Sequence, residues 1–210
     1  MSVMENEQAS QVAGRSAVEL MPQAREMIVL ASQSPRRAEV LRAVDWPFEA
    51  EAANVDESLR AGEQVVRYVE RLAREKAQAV AARRLFGLVL GADTVVVVDG
   101  EVLGKPRDEM EAQRMLRRLR GRWHEVLTGV ALVRAETKQT ISAHERTRVR
   151  FAPMTDAEVD WYVATGEPAD KAGAYAVQGQ GALFIEAIDG DYWNVVGLPV
   201  RLVYKLSAEI

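Results

Sequence analysis

The sequence predicts an α/β fold of mixed α+β type, in which helices flank a central mixed sheet. Short apolar runs of strand type alternate with segments whose apolar residues recur at helical spacing. Asp-Gly pairs at residues 99–100 and 189–190 lie within β-type segments, and such pairs are typical of hairpins between antiparallel strands. Hairpins combined with intervening helices indicate a mixed sheet.

The chain has 210 residues, enough to bury one sizeable core, so we expect one domain, which can be bilobed. Residues 1–26 are rich in Glu, Gln, Ser and Ala and lack a clear strand pattern or a strong helical period. We therefore predict a flexible N-terminal extension over 1–26 and a folded domain over 27–210.

Start and turn signals set the expected order of elements in the folded domain. Ser34 is a favoured N-cap, and Asp108 with Glu111, like Thr155 with Glu158, has the spacing of a capping box. The expected order is a strand over 27–31, helices over 35–44 and 63–84, a hairpin around 99–100, a helix over 108–120, strands over 123–134 and 140–151, a helix over 155–166, a β-rich stretch over 174–196 and a terminal helix from Pro199.

The bulk composition excludes several classes of protein. The net charge is -4, which argues against a nucleic acid polymer as partner. The chain has no cysteine, so disulfides, thiolate nucleophiles and cysteine-ligated zinc are excluded. No apolar run approaches the roughly 18 residues of a membrane span, and the pattern of a signal peptide is missing. We therefore expect a cytoplasmic protein without a membrane partner.

Two arginines stand where a helix start normally favours acids. Pro35 suits the first position of its helix, so Arg36 and Arg37 fall in the first turn. Free backbone N–H groups and the helix dipole already make this end positive. A bound anion would offset the added charge, so the pair predicts a phosphate site. Two solvated arginines are the alternative.

Asp93 lies within the almost wholly apolar run "LVLGADTVVVV". A carboxylate in such a strand is costly unless it is paired, hydrogen-bonded or bound to metal. Asp93 is therefore predicted to be a metal ligand or a general base, with a turn residue at a strand end as the alternative. Thr94 points to the opposite face if the strand is regular, and Gly91 indicates a bulge or a close backbone approach.

Further lysines and carboxylates suit phosphate chemistry. Lys76 lies on the apolar stripe of its helix, Lys105 follows the hairpin, and Lys171 begins a glycine-containing segment. Asp56 and Glu57 are candidate ligands for a divalent cation, which prefers oxygen donors. Each of these residues alone fits a solvated surface. Together they predict metal-assisted attack of water on a phosphate chain.

Other residues narrow the choice of ligand. The Gln178 amide offers a donor and an acceptor to a nucleobase edge, with a glycine-rich turn as the alternative. His124 and His144 stand far apart in the sequence, which gives little support to a histidine triad or a zinc site. Neither "GxxxxGK[ST]" nor "GxGxxG" occurs, so the commonest nucleotide-binding folds are excluded.

The strings "LASQSPRRAEVL", "RLAREKA", "GADTVVVVDGEVLGKPRD", "LTGVAL", "DKAGAYAVQG" and "IDGDYWNVVGLPV" occur in this order. Together they resemble the Maf family of nucleotide pyrophosphatases, which has been linked to septum formation, from Met27 to the C-terminus. The string "DKAGAYAVQG" is similar to the branch that acts on dTTP and UTP. Gln33 departs from the family, which usually has a small residue there.

The resemblance implies hydrolysis of a nucleoside triphosphate between its α and β phosphates, with Mg²⁺ or Mn²⁺ as cofactor. It also implies an elongated mixed sheet with a central cleft, of the inosine triphosphatase-like Maf/Ham1 type. The implied catalytic residues are Asp93 as proton acceptor, Glu57, Lys76 and Lys105; the implied metal ligands are Asp93 and Glu57; and the implied substrate-binding residues are Ser34, Arg36, Arg37, Thr94, Lys171 and Gln178.

Two other functions stay open on the sequence. One is a pyrophosphatase for 7-methyl-GTP or for a broad set of noncanonical nucleotides, with the same machinery. The other is a division regulator that binds nucleotide and hydrolyses little, against which the complete set of charged residues counts. A homodimer is a further candidate assembly, for which Trp161 and Trp193 are available apolar contacts, with a place in the core as the alternative for both.

Overall fold

Residues 25–210 are described by the computed structural model, in which helices pack on a seven-stranded sheet. The strands are β1 (Ile28–Leu30), β2 (Phe48–Ala50), β3 (Leu88–Val98), β4 (Glu101–Leu103), β5 (Trp123–Arg134), β6 (Thr140–Phe151) and β7 (Ile185–Asp189). The α-helices are α1 (Pro35–Ala43), α2 (Val65–Ala81), α3 (Glu109–Leu119), α4 (Asp156–Ala164), α5 (Tyr192–Val196) and α6 (Val200–Ser207). None of these helices is long and apolar enough to cross a membrane.

The sheet is mixed, as predicted. Its strands run in the order β2-β1-β3-β5-β6-β7, and β4 pairs with the C-terminal end of β3. β1 is parallel to β2 and β3, whereas the pairs β3–β5, β5–β6 and β6–β7 are antiparallel. The α/β prediction is therefore confirmed. The short strand β2 has no counterpart among the predicted elements.

Local signals place most elements correctly. β5 and β6 have the predicted bounds, and β3 and β4 are joined at 99–100, where both residues have positive φ. Thr155 and Glu158 form the predicted capping box. Asp108 caps α3 through the N–H of Glu111, but the Glu111 carboxylate accepts from the residue before Asp108 instead of closing the box. Ser34 takes the N-cap position of α1 without a side-chain cap bond.

The predicted β-rich stretch over 174–196 is wrong for most of its length, because only β7 within it is a strand. Ala174 has a φ of 61°, a left-handed value that a strand does not accommodate. Three 3-10 turns fill the chain before β7, at Glu167–Asp170, Ala172–Ala174 and Gln180–Phe184. The Asp-Gly pair at 189–190 leads into α5, because Asp191 caps that helix through the N–H of Trp193.

The predicted extension over 1–26 lies outside the described residues except for its last two, Arg25 and Glu26. The Glu26 carbonyl accepts from Trp46 Nε1 at 3.0 Å, and the Glu26 carboxylate pairs with Arg134 at 2.6 Å. These contacts attach the start of the described chain to the loop before β2 and to the end of β5.

Helix α2 lies close to the sheet because two glycines face it. A Cβ atom at Gly91 of β3 would overlap the carbonyl oxygen of Ala73, and one at Gly129 of β5 would overlap that of Val69. Pairing between β3 and β5 runs unbroken past Gly91, so this glycine marks a close approach and not a bulge. The contact brings Lys76 of α2 down to the sheet.

His124 of β5 is buried among aromatic rings although it can titrate. Its ring packs edge to face against Phe151 and Tyr175, with centroids 5.3 Å away in each case. Nε2 lies 2.8 Å from the Tyr175 hydroxyl, and Nδ1 has no hydrogen-bond partner among residues 25–210. Burial lowers the pKa of His124 from 6.5 to about 4, because the charged ring would lose its hydration without replacement.

The close packing of α2 predicts a large cost for a methyl group at Gly129. We expect Gly129→Ala to lower the free energy of unfolding by about 1–3 kcal/mol, because the new Cβ pushes α2 off the sheet. Gly104→Ala is the control, since a Cβ there meets no atom within 4 Å. Denaturant titration of both variants measures the difference. Equal stability of the two would contradict the close packing.

The buried histidine predicts a loss of stability in acid. Because the folded-state pKa of His124 is below the unfolded one, its contribution is complete above the unfolded pKa and is lost as the pH falls through the window from 6.5 to about 4. Between about pH 7.5 and pH 5.0, we expect the free energy of unfolding to fall by about 2 kcal/mol more in the wild type than in His124→Phe. Parallel losses in the two proteins would assign the acid sensitivity to other groups.

Candidate active site

A cleft opens where one edge of β3 lacks a strand neighbour. On that edge β1 pairs with Leu88–Leu90 and β4 pairs with Val96–Val98. Residues 91–95 between them have no strand partner there within the described chain, so side chains from both faces of β3 border one opening. The cleft has a volume of about 510 Å³, within the range of small-molecule sites.

The cleft brings together all the residues that the family resemblance assigns to the site. They come from β3, from α1 and α2, and from the connecting segments after β1, β2, β4 and α4. They are Ser34, Arg36, Arg37, Glu57, Lys76, Asp93, Thr94, Lys105, Lys171 and Gln178. Five of these residues are cations and two are carboxylates, so positive charge prevails among them, as a phosphate chain requires.

Two carboxylates converge on the Lys76 ammonium group. Asp93 Oδ1 lies 2.6 Å from Lys76 Nζ, and Glu57 Oε1 lies 2.7 Å from it. The side chains of Lys76 and Asp93 are each 10% exposed, whereas that of Glu57 is 60% exposed. Lys76 is thus a buried cation that holds one buried and one accessible carboxylate around a single point.

The pKa values of these two carboxylates are displaced in opposite directions. Burial raises the pKa of Asp93, and the positive charges of Lys76 and Arg37 only partly oppose it. Burial also acts to raise the pKa of Glu57, but the hydrogen bond and charge of Lys76 outweigh it and the pKa is lowered. Asp93 is therefore the better proton acceptor of the two.

Arg37 is buried and held by acceptors of the protein itself. Its Nε donates to the Gly197 carbonyl at 3.0 Å, Nη1 to Ser32 Oγ at 3.0 Å and Nη2 to Thr94 Oγ1 at 3.2 Å. Burial lowers the pKa of Arg37. Thr94 also lies 2.9 Å from the Thr128 hydroxyl. Arg37 is therefore a fixed charge in the cleft wall and not a solvated arginine.

Arg36 makes a longer contact, to the segment that follows α4. Its Nη1 lies 3.4 Å from Asp170 Oδ2. Lys171 Nζ lies 2.5 Å from Asp170 Oδ1 and donates to the Glu167 carbonyl at 2.8 Å. Asp170 thus sits between two cations of the cleft, and an incoming phosphate would compete with it for both.

Three of the predicted site residues are free of such contacts within residues 25–210. The side chains of Ser34, Lys105 and Gln178 line the cleft but form no hydrogen bond with any residue in the described part of the chain. Their polar groups are therefore available to a ligand.

Asp56, the neighbour of Glu57, does not border the cleft. Its carboxylate accepts from the Ser58 N–H at 2.9 Å and from the Ser58 hydroxyl, which lowers the pKa of Asp56. The prediction that it supplies a carboxylate to the site is wrong, because Asp56 is not among the residues that line the cleft and a local turn uses its Oδ1. Glu57 alone represents this pair in the cleft.

Tyr68 and Asp170 line the cleft but were not among the expected residues. Tyr68 donates through its hydroxyl to the Glu57 carbonyl at 2.8 Å, which ties the segment carrying Glu57 to α2. Tyr68 lies two helical turns before Lys76, so the buried face of α2 was the signal that could have found it. For Asp170 the only signal was its place beside Lys171.

The donor set fits a divalent cation of the magnesium type. Mg²⁺ prefers oxygen ligands and is usually held by one or two carboxylates together with phosphate oxygens of the substrate. Asp93 and Glu57 supply two carboxylates around the position of the Lys76 ammonium group. Residues 25–210 contain no group of three or more His, Cys, Asp or Glu arranged to hold a metal, so substrate oxygens would have to complete the coordination.

Known proteins resemble this chain in sequence and in fold. A dTTP/UTP pyrophosphatase of Symbiobacterium thermophilum is 56% identical over 184 residues, covering 88% of this chain and 94% of its own. A dTTP/UTP pyrophosphatase of Anaeromyxobacter sp. is 54% identical over 182 residues, covering 85% of this chain and 87% of its own. The solved Ham1 protein of Staphylococcus aureus matches with a TM-score of 0.50 at 16% identity, over 88% of this chain and 100% of that one. This match concerns the fold alone and confirms the Ham1-type architecture.

The match to a protein family covers all but the first two of the described residues. The sequence model described as Maf-like protein matches residues 27–210. The resemblance found in the motifs is therefore confirmed, and the chain belongs to the Maf-like protein family.

Proposed function

We propose that this protein is an enzyme that hydrolyses dTTP and UTP to the nucleoside monophosphate and pyrophosphate. The main support is the cleft, in which the buried carboxylate of Asp93 lies among five cations. The substrates are those named for the Symbiobacterium and Anaeromyxobacter relatives, which are more than half identical to this chain over most of its length.

In this proposal the triphosphate binds along the cations of the cleft. Arg36 and Lys171 exchange the Asp170 carboxylate for phosphate oxygens, and Lys105 adds a mobile point charge. Ser34, at the start of α1, offers a free hydroxyl where helix N–H groups also favour an anion. Such charge-assisted hydrogen bonds are stronger than neutral ones, so the phosphates supply much of the affinity.

Asp93 accepts the proton of the attacking water. The water oxygen bonds to the α-phosphorus, the bond from that phosphorus to the α–β bridging oxygen breaks, and pyrophosphate leaves with the electron pair. The raised pKa of Asp93 suits proton acceptance. Lys76 holds this carboxylate in place at 2.6 Å, and Arg37 adds a fixed positive charge beside it.

Asp93 and Glu57 would also hold Mg²⁺ or Mn²⁺, together with oxygens of the substrate. When bound, such an ion supplies positive charge to the phosphate oxygens and to the leaving pyrophosphate. Glu57 is the accessible member of the pair, and Tyr68 holds its backbone against α2. The Glu57 carboxylate could therefore bind the ion while α2 stays in place.

We assign base selection to Gln178, with Arg36 and Thr94 as further residues of substrate choice. The Gln178 amide can both donate to and accept from a pyrimidine edge. It is exposed in the cleft and forms no side-chain bond within residues 25–210, so its donors and acceptor are free for the base.

We further propose where the enzyme acts and in what assembly. Residues 27–210 form one catalytic domain after the extension over 1–26, and the enzyme acts on nucleotides of the cytoplasm as a homodimer. Trp161 is 47% exposed, whereas Trp193 packs against a buried cluster. Of the two tryptophans, Trp161 is therefore the one available to a subunit contact.

Substrate choice is tested by pyrophosphate release from dTTP, UTP, CTP, 7-methyl-GTP and ITP with Mg²⁺ or Mn²⁺. We expect kcat/KM for dTTP and UTP to exceed kcat/KM for the other three nucleotides by at least about tenfold. The reason is that dTTP and UTP would form one or two hydrogen bonds to the site through the base that the other nucleotides cannot form. Preferred turnover of 7-methyl-GTP or ITP would reassign the substrate. Tight nucleotide binding without turnover would favour a regulator.

The role of Asp93 is tested by Asp93→Asn. We expect kcat to fall by about 100- to 10,000-fold, with the free energy of unfolding at neutral pH unchanged or higher. A carboxyl group whose pKa is raised by folding costs stability as the pH rises through that pKa, so its neutral isostere removes a cost.

Asp160→Asn is the matched control, because Asp160 is exposed on α4 and its only ion pair within residues 25–210 is a surface one with Arg117 at 3.2 Å. It should leave activity unchanged and lower stability by at most about 1 kcal/mol. Enzyme assays and denaturant titration of both variants measure the two effects. A loss of activity below tenfold, or a marked loss of stability, would assign Asp93 a structural role.

A further inference from the structure

Glu167, which follows α4, has no part in the chemistry proposed above, yet both of its carboxylate oxygens are engaged. Oε1 accepts from the Tyr162 hydroxyl at 2.7 Å and from the Gly181 N–H at 3.0 Å, and Oε2 accepts from the Gln180 N–H at 2.8 Å. Burial acts to raise the pKa of Glu167, but these donors outweigh it and lower the pKa. The carboxylate is therefore ionised and suited to hold several donors at once.

Tyr162 extends this contact to the other end of the same segment. Its hydroxyl, which donates to Glu167, also accepts from the Ala176 N–H at 3.1 Å. The Tyr162 side chain is fully buried in α4, so the core holds the hydroxyl in place. Glu167 and Tyr162 together fix the chain at Ala176 on one side and at Gln180 and Gly181 on the other.

Gln178 lies midway between these fixed positions, in a stretch without helix or strand. Its side chain forms no hydrogen bond with any described residue. Gly179 lies directly against the Glu167 carboxylate, since an added Cβ would overlap it. The path of the chain around Gln178 is therefore set by Glu167 and Tyr162.

We propose that Glu167 and Tyr162 are positioning residues that fix Gln178 for recognition of the pyrimidine base. The inference rests on the proposed function, which assigns base selection to Gln178. Neither side chain forms a hydrogen bond with a residue that binds the phosphates or with Asp93. The charge of Lys171 helps to lower the pKa of the Glu167 carboxylate, whereas the Tyr162 hydroxyl is neutral. The hydrogen bonds of the pair therefore act on the choice of base and not on hydrolysis.

The backbone of Glu167 has a separate contact with the phosphate-binding part of the cleft. Its carbonyl accepts from Lys171 Nζ at 2.8 Å. A substitution of the Glu167 side chain leaves this carbonyl in place. Recognition of the base can therefore be separated from binding of the phosphates by experiment.

Glu167→Gln tests the inference because it keeps the size of the side chain. An amide accepts only at its oxygen, so its NH₂ group would face a donor that the carboxylate now satisfies. We expect kcat/KM for UTP to fall about tenfold through KM, with kcat within about twofold. The preference for UTP over CTP should shrink by a similar factor, because uracil and cytosine differ in the hydrogen-bond donors and acceptors that they present to an amide.

Two further variants show whether a change in UTP preference is specific or follows from a general loss of stability. Glu158→Ala removes the capping box of α4, the helix that contains Tyr162, without touching 176–181; it should lower stability and leave the UTP preference unchanged. Tyr162→Phe removes only the shared hydroxyl and should repeat the effect of Glu167→Gln, which keeps the test valid if that variant does not fold. Binding of tripolyphosphate, which has no base, should be equal in the wild type, Glu158→Ala and Tyr162→Phe. It should not weaken in Glu167→Gln, which removes a negative charge that acts on Lys171.

A double substitution shows whether Glu167 acts through Gln178. In a Gln178→Ala background, Glu167→Gln should cause no further loss of UTP preference, because coupled residues are not additive. Full additivity would overturn the inference. An unchanged UTP preference in both folded variants, or an equal loss of tripolyphosphate affinity, would overturn it as well.

Failure of the proposed function gives a different result. If the wild type hydrolyses neither dTTP nor UTP, the proposed reaction is wrong whatever the variants do. The inference is then decided by calorimetric binding of UMP and CMP to the wild type and to Glu167→Gln. A lower preference for UMP in the variant supports the positioning role, and an equal preference overturns it.

Discussion

The close packing of α2 on β3 and β5 is the constraint on which the cleft depends. Gly91 and Gly129 let the helix backbone approach the sheet to a distance that any Cβ atom would prevent. Lys76 leaves the helix on this face and reaches Asp93 at 2.6 Å. Because protein interiors are closely packed and contain few voids, a larger residue at either glycine would displace α2, and Lys76 would move with it. Backbone approach therefore sets the geometry of the site before any side chain takes part.

The cleft concentrates buried charge that a stable core would avoid. Lys76, Asp93 and Arg37 are all buried, and burial displaces the pKa values of Asp93 and Arg37 toward their neutral forms. Mutual pairing only partly offsets the loss of hydration, because a buried ion pair gives back less than its desolvation costs unless its geometry is excellent. A cluster of this kind is typical of sites kept for chemistry.

Segments without regular structure contribute several groups to the cleft, and helices hold those segments by side-chain bonds to their backbone. Tyr68 of α2 fixes the carbonyl of Glu57, and Tyr162 of α4 acts with Glu167 on the stretch around Gln178. On both sides of the cleft, a tyrosine of a packed helix bonds to the backbone of a connecting segment. Binding residues are commonly arranged in this way, on loops that a rigid scaffold holds in position.

Local patterns were sufficient for most of the fold and for the residue types of the site. Alternating runs placed β5 and β6, turn and cap residues placed the hairpin and α4, and the motifs around Arg36 and Asp93 named residues that all line one cleft. Tertiary structure alone decided that the segment over 174–196 is mainly turns and that Asp56 lies outside the lining of the cleft. It also decided that the cleft opens where one edge of β3 has no strand neighbour among residues 25–210. These features depend on contacts between residues far apart in the chain, such as Glu167 with Gly181, and a local pattern carries no information about which distant groups will supply a segment's hydrogen bonds.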